Sequence, residues 1–288
     1  MSLILSKQVL APDIVRFWLD APHIARKRRP GQFVIVRLNE DGERIPLTIA
    51  DADPKRGAIA IIVQGVGKST RDLNAMEPGG DILDVAGPLG MPTHIEPGKS
   101  LCAIGGGIGT AVAYPIACGF KALGGKVTGI VGGRSRDLVI LEDEMRAVAD
   151  QVIVTTDDGS YGMKGLVTDA LVKLVDEGAV FDEVVAIGPL PMMRAVCEVT
   201  RARGIKTVVS LNPIMVDGTG MCGGCRVIVG NETKFACVDG PEFDGHLVDW
   251  ESLMQRQKGY HREERESFEA WKDRHQRMLD KDHQPLCE

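Results

Sequence analysis

Three of the chain's seven cysteines, Cys222, Cys225 and Cys237, follow Asp217 with the spacing D-x4-C-x2-C-x11-C, inside the run Asp217-Gly-Thr-Gly-Met-Cys-Gly-Gly-Cys225. This is the spacing of a plant-type iron–sulfur loop with its first thiolate replaced by a carboxylate. Glycines at 218, 220, 223 and 224 allow the unusual backbone angles and close N–H approach that a loop around an inorganic cluster needs. Zinc is the competing occupant, since three thiolates and one carboxylate also make a tetrahedral set. Asp217 precedes a glycine and could simply close a turn. As a ligand it would be harder than a thiolate and would give the cluster a different potential from an all-cysteine one. The expected chemistry is electron transfer, with Asp217, Cys222, Cys225 and Cys237 as the metal ligands.

Two further sets of residues suit nucleotide phosphates. Arg44-Ile-Pro46-Leu47-Thr48, followed by Gly65-Val-Gly67-Lys68-Ser69-Thr70, reads as a flavin site. Arg44 can neutralise a phosphate, and a glycine turn entering a helix at Ser69-Thr70 offers backbone donors to a pyrophosphate. Thr48 would bring its hydroxyl within reach of the redox-active flavin nitrogen and is the candidate catalytic residue; it could also be an ordinary strand threonine. Gly105-Gly106-Gly107-Ile108-Gly109-Thr110 lies between a strand and a helix, the setting of a dinucleotide pyrophosphate, although Thr110 breaks the G-x-G-x-x-G pattern. Gly188 and Pro189 would approach the nicotinamide, with Met192 and Met193 packing in the core. Arg134 and Arg136 could hold a 2′-phosphate, whereas Asp157 and Asp158 would repel one, so NAD is expected over NADP.

Those loops need strand ends to hold them. Up to about residue 97 the chain reads as short alternating segments, Gln32–Leu38, Ile45–Ala50 and Ala58–Val63, punctuated by Pro and Gly, which predicts an antiparallel FAD-binding β-barrel over 1–97. From 98 to 212 apolar strands beginning at Ser100, Lys126, Gln151 and Glu183 alternate with helical stretches, predicting a parallel-sheet NAD-binding α/β domain. Residues 213–245 are too few for a core of their own and form a cluster module stapled by its metal. A helical tail, 246–288, follows; Trp250–Leu279 reads either as a solvated helix or as a strap on a partner subunit.

Composition narrows the partners. A net charge of −6, with no basic run longer than Arg26-Lys-Arg-Arg29, argues against nucleic acid. That run reads as a solvated loop. The N-terminus lacks a charged region followed by a long apolar core, so a cytoplasmic location without a secretory signal is expected. The uncharged stretch Leu101 to Phe120 is long enough for a membrane span, but five glycines and Pro115 make it a strand, a turn and a helix, so no membrane is expected. Cys102, Cys118, Cys197 and Cys287 have no paired spacing and read as reduced core or tail residues.

The order Arg-x-Pro-Leu-Thr, Gly-x-Gly-Lys-Ser-Thr, Gly-Gly-Gly-Ile-Gly, Thr156-Asp-Asp-Gly-Ser-Tyr-Gly162, Gly-Pro-x-x-Met and Cys237-Val-Asp-Gly-Pro-Glu-Phe243 resembles the ferredoxin-reductase superfamily over about residues 1 to 260. Within it, the chain is similar to the iron–sulfur flavoprotein subunits of dihydroorotate dehydrogenase and of NADH-dependent reduced ferredoxin:NADP oxidoreductase, related to a sulfide dehydrogenase subunit. The resemblance implies noncovalent FAD in the barrel, NAD(H) or NADP on the α/β domain and a [2Fe-2S] cluster. It also implies a heterodimer or higher complex with a larger flavin and iron–sulfur subunit, through which ferredoxin is reached indirectly. Dihydroorotate-type members carry four cysteines, so Asp217 favours the ferredoxin:NADP oxidoreductase type, an electron-bifurcating system. The reading from a different class is a zinc-bearing, nucleotide-sensing module.

Overall fold

A computed structural model describes the backbone of residues 1–282 and the side chains of residues 1–273; Cys287 lies outside the described residues. Alternating apolar, β-branched residues favour a pleated surface with one buried face, and they build seven antiparallel strands. These are β1 (Ser2–Ala11), β2 (Ile14–Asp20), β3 (Phe33–Arg37), β4 (Ile45–Asp53), β5 (Ala58–Gln64), β6 (Asp81–Ile82) and β7 (Asp84–Leu89), in the spatial order β6-β1-β2-β5-β4-β3-β7. Leu83 alone separates β6 from β7, which stand at opposite ends of that order, so the sheet curls until its ends meet as a nearly closed barrel. Phe17, Leu19, Ile49, Ile59 and Ile61 fill the interior.

Two short helices accompany the barrel, α1 (Pro22–Lys27) and α2 (Lys68–Ala75), the latter plugging the core with a fully buried Leu73. The basic run is not a solvated loop. Arg26 and Lys27 end α1, and the half-buried Arg28 guanidinium stands 3.3 Å from Asp51 on β4.

The second half alternates strand and helix as β8 (Ser100–Gly106), α3 (Thr110–Ala122), β9 (Lys126–Gly133), α4 (Glu142–Val148), β10 (Gln151–Thr156), β11 (Met163–Lys164), α5 (Val167–Asp176), β12 (Glu183–Ile187), α6 (Leu190–Arg201) and β13 (Lys206–Ser210). These strands are parallel to their neighbours. Leu101 to Gly105 and Glu183 to Ile187 are buried throughout, as expected of strands covered by helices on both faces. Across the sheet, β9 and β10 lie on one side of β8, while β12 and β13 lie on the other. The order therefore reverses beside β8, where open α/β sheets leave a crevice at the carboxyl ends of their strands.

The C-terminal segment is stitched into both halves. A hairpin of β14 (Arg226–Val229) and β15 (Glu232–Phe235) precedes β16 (Glu242–Asp244), which adds to β13 as an antiparallel edge strand of the nucleotide sheet. The tail is two helices, α7 (Trp250–Gln257) and α8 (His261–Asp282), separated by one 3₁₀ turn at Lys258–Tyr260. Among the described residues, no helix is long and apolar enough to cross a membrane.

Where β16 meets the barrel, Thr93 Oγ1 donates a 2.7 Å hydrogen bond to Glu242, on β16, against Gly31. Burial, reinforced by Glu183 on β12 and opposed by the Thr93 hydrogen bond, pushes the Glu242 carboxyl up from 4.5 to about 7. Glu183 is itself paired with Lys206 at 2.5 Å. Between those two pH values the folded chain retains a proton that the unfolded chain has released. Stability should fall as pH rises through that window and level off above about 7, a loss on the order of 3 kcal/mol. Glu242→Gln keeps an oxygen acceptor for Thr93 and should flatten this slope, so that the variant exceeds the wild type in urea midpoint at pH 8 but not at pH 4.5. Parallel pH profiles for the two proteins would refute the assignment.

Candidate functional site

The cysteine loop sits on the barrel. Cys225 and Cys237 share a small apolar cluster with Met215, Ala236 and, from β3, Phe33 and Ile35. Both thiols are 1% exposed, and their Sγ atoms lie 3.2 Å apart as free cysteines. Cys237 N–H points at Cys225 Sγ at 3.5 Å, and Gly224 N–H at the exposed Cys222 Sγ at 3.4 Å. Gly218, Gly220 and Gly223 adopt left-handed angles that a side chain would resist. Gly224 does not, and contributes its N–H instead.

Asp217 organises the loop from its other end. Its two carboxylate oxygens accept from Thr219 N–H at 3.0 Å and Cys222 N–H at 2.9 Å, and these donors hold the carboxyl below the usual range. The turn-forming role is therefore real, and each oxygen retains a lone pair for a metal. Among the described residues, no three His, Cys, Asp or Glu side chains converge as they would on a single ion. The donors lie instead as two pairs, Cys225 with Cys237 and Asp217 with Cys222. Burial and the adjacent Cys225 push the Cys237 thiol up to about 12, so an incoming metal must displace its proton. Paired sulfurs with backbone N–H groups aimed at them suit an iron–sulfur cluster.

The flavin candidates come together on the barrel wall. Thr48 lies on β4 directly opposite Phe33 of β3, so the strand carrying Thr48 adjoins the strand that backs the cysteine loop. Arg44 is exposed just before β4, with Pro46 exposed and Leu47 half-buried. Ser69 Oγ donates to the carboxylate of Glu43, tying the Arg44 segment to the start of α2. Thr70 Oγ1 accepts from Val66 N–H at 3.0 Å and Gly67 N–H at 3.1 Å, closing the turn at the N-cap Gly67. First-turn N–H groups at Lys68, Ser69 and Thr70 have no helical acceptor, the condition that favours an anion.

The nucleotide candidates gather at the reversal beside β8. Gly105 to Gly109 carry the chain from β8 into α3, and Gly109 lies against Ile187 and Gly188 at the end of β12. The structure places Met193 in the core and packs the half-buried Met192 against the same core, as expected; Met192 also lies against Gly106 and Gly188. Thr110 Oγ1 is fully buried and has no hydrogen-bond partner among the described residues. Ile108 and Ala111 pack with Ala50, two residues beyond Thr48, so the glycine loop abuts the flavin strand.

At the neighbouring strand ends, Asp157 N–H donates to Gly133 O at 3.1 Å and Asp158 N–H to Arg134 O at 3.2 Å. Asp157, Asp158 and Arg134 are all exposed there. Arg136 lies over the ring of Tyr161 at 5.4 Å. Tyr161 closes the turn Asp158-Gly-Ser-Tyr161 that follows β10.

A flavin-type barrel, a parallel nucleotide sheet and a thiol loop at their junction define an iron–sulfur protein of the ferredoxin-reductase fold. The family described as the iron–sulfur cluster binding domain of dihydroorotate dehydrogenase B matches residues 212–249. Over 268 residues the chain is 48% identical to a Thermotoga maritima dihydroorotate dehydrogenase B (NAD(+)) electron transfer subunit homolog, covering 93% of this chain and 94% of that one. It is 36% identical over 249 residues to the Geobacillus thermodenitrificans dihydroorotate dehydrogenase B electron transfer subunit, covering 83% and 94%. A solved structure of NADH-dependent reduced ferredoxin-NADP oxidoreductase, described for its insights into flavin-based electron bifurcation, superposes with a TM-score of 0.89 at 47% identity, over 94% of this chain and 98% of that one. The cytochrome b5 reductase domain of Ulva prolifera nitrate reductase, 20% identical with a TM-score of 0.60 over 71% and 93%, shares the fold. The chain belongs to the family of dihydroorotate dehydrogenase B electron-transfer subunits and their homologues.

Proposed function

We propose that this chain takes electrons from NADH and passes them through FAD and a [2Fe-2S] cluster to a larger flavin and iron–sulfur subunit, as in the bifurcating NADH-dependent ferredoxin:NADP oxidoreductases. The observation that carries the reading is the placement of Phe33, which pairs with Thr48 across the strands and packs in the cluster of Cys225 and Cys237. One strand thus separates the flavin candidate from the cysteine loop. When bound, FAD converts a two-electron input into single-electron output, and the cluster carries single electrons.

The chain's own residues divide the work. Arg44 and the start of α2 would hold the flavin phosphates, and Thr48 would supply a hydroxyl to the ring. Gly105 to Thr110, with Gly188 and Pro189, bind NAD(H) where Ile108 and Ala111 touch the flavin strand. Asp217, Cys222, Cys225 and Cys237 ligate the cluster. Around the exposed Cys222 stand the exposed Met221, Val216 and Val238, an apolar rim that a partner subunit would cover. The dihydroorotate and sulfide dehydrogenase readings share this machinery and differ in the partner.

Preference for NAD over NADP rests on charge. Hydrogen bonds from Ser160 hold the Asp158 carboxyl below its ordinary value, so it stays ionised beside a bound ribose and repels a 2′-phosphate. The test is an anaerobic titration of the purified protein with NADH and with NADPH, with flavin, iron, sulfide and zinc quantified on the same sample. Flavin and cluster bands bleached by NADH at least about tenfold more efficiently than by NADPH are expected. NADPH outperforming NADH would overturn the nucleotide assignment. A colourless protein with stoichiometric zinc would overturn the whole reading in favour of a zinc-bearing module.

A further inference from the structure

Helices α7 and α8 span from the cysteine loop to the flavin turn. On α7, Arg256 donates to Gly224 O at 3.1 Å, inside the cysteine loop, and Gln257 to Asn212 O at 3.0 Å. Trp250 and Leu253 are buried beneath it, and Trp250 Nε1 donates to Gly245 O at 3.2 Å. One turn later α8 begins, and its Phe268 and Trp271 stack with ring centroids 5.7 Å apart. Both rings are engaged by α2. Trp271 Nε1 donates to Asp72 at 2.6 Å, and the Arg71 guanidinium lies over Phe268 at 5.5 Å. Lys272 approaches the same ring at 4.5 Å.

The helix that receives this contact is the one assigned to the flavin pyrophosphate. It has eight residues, too few to persist without tertiary support. Leu73 fixes it from the barrel side, and the Arg71–Asp13 ion pair at 3.1 Å is exposed. Asn74 donates to Asp13 O at 3.0 Å, and the aromatic pair adds contacts at Arg71 and Asp72 of the same turn. The pair also draws the Asp72 carboxylate, which would oppose a bound phosphate, onto the indole N–H.

We propose that Phe268 and Trp271 are positioning residues for FAD: α8 straps the pyrophosphate-binding turn of α2 and fixes it relative to the cysteine loop through Arg256. The proposal rests on the reading of α2 as a flavin site. Arg256 near the end of α7 and Trp271 on α8 are fifteen residues apart and joined through the 3₁₀ turn at Lys258–Tyr260, so one short stretch of chain touches both the cysteine loop and α2.

The test uses the full chain carrying Phe268→Ala with Trp271→Ala, and separately Trp271→Phe. FAD dissociation constants are read by recovery of flavin fluorescence, alongside iron and sulfide per chain and the melting temperature of the FAD-free protein. The double variant should bind FAD about tenfold more weakly with iron and sulfide unchanged. Trp271→Phe keeps an aromatic ring at this position and removes the indole N–H that Asp72 accepts; it should weaken FAD about threefold, and it carries the test if the double variant does not fold. Unchanged FAD affinity in both variants overturns the strap while leaving the flavin reading intact. Weaker FAD accompanied by equal loss of iron and of FAD-free melting temperature also overturns it, since the effect is then general destabilisation. A wild-type chain that binds no FAD overturns the flavin reading and the strap together.

Discussion

Cys237→Ala is expected to strip the chain of iron and sulfide while leaving FAD bound and reducible by NADH. The Cys237 thiol is buried beside Cys225 at 3.2 Å, so alanine removes the ligand atom and offers no oxygen donor in its place. Losing one buried sulfur costs about 1–3 kcal/mol, too little to unfold a barrel and sheet with separate cores. The damage should stay local. Without the cluster, the loop from Asp217 to Cys225 loses its staple, whereas the β14–β15 hairpin keeps Val227 in the core of the sheet. Limited proteolysis should then cut between Asp217 and Cys225 while the remainder resists. Cys102→Ser is the control, since Cys102 is buried on β8 away from the loop and should leave iron untouched. Iron retained in the Cys237 variant, or zinc lost in place of iron, would sink the cluster assignment.

What the sequence made legible follows from how local each signal is. The alternation in β3, β4 and β5, the apolar runs of β8, β9, β10 and β12 and the glycine turns at their ends are all written within about ten residues, and each appears where expected. The cysteine spacing is equally local. By contrast, β16 is three residues long and is a strand only because β13 offers an open edge. The Arg28–Asp51 pair joins two segments that carry no sign of one another. The core packing of Met192 was legible from its helical spacing, but its second contact, with Gly106 and Gly188, depends on two glycines from separate strand ends. The two uses of Asp217, turn-former and candidate ligand, were both visible; the structure shows the first directly. The docking of α8 on α2 was beyond reach for the same reason as β16, since its contacts lie about two hundred residues apart.

Gly109→Ala should be among the most damaging single substitutions in the nucleotide domain. A Cβ built at Gly109 falls 2.1 Å from Ile187 O and 2.6 Å from Ile187 C, backbone against backbone, so no side chain can swing away to make room. Conformation is not the cause, because Gly109 has φ −59°, which any residue adopts. Either α3 lifts from the end of β12 or the β8–β12 pairing at Gly105 and Ile187 loosens. Either route should cost about 3 kcal/mol or more and weaken NADH by more than about tenfold, because the helix start must sit in the crevice to reach a pyrophosphate. Gly107→Ala separates contact from strain: Gly107 has φ +55° with open space around it, so alanine there should cost only about 1 kcal/mol. Urea midpoints and NADH titrations of the two variants decide the matter. Equal stability would mean that α3 can retreat at no cost, and that the close approach to β12 is not what seats the nucleotide loop at the reversal of the sheet.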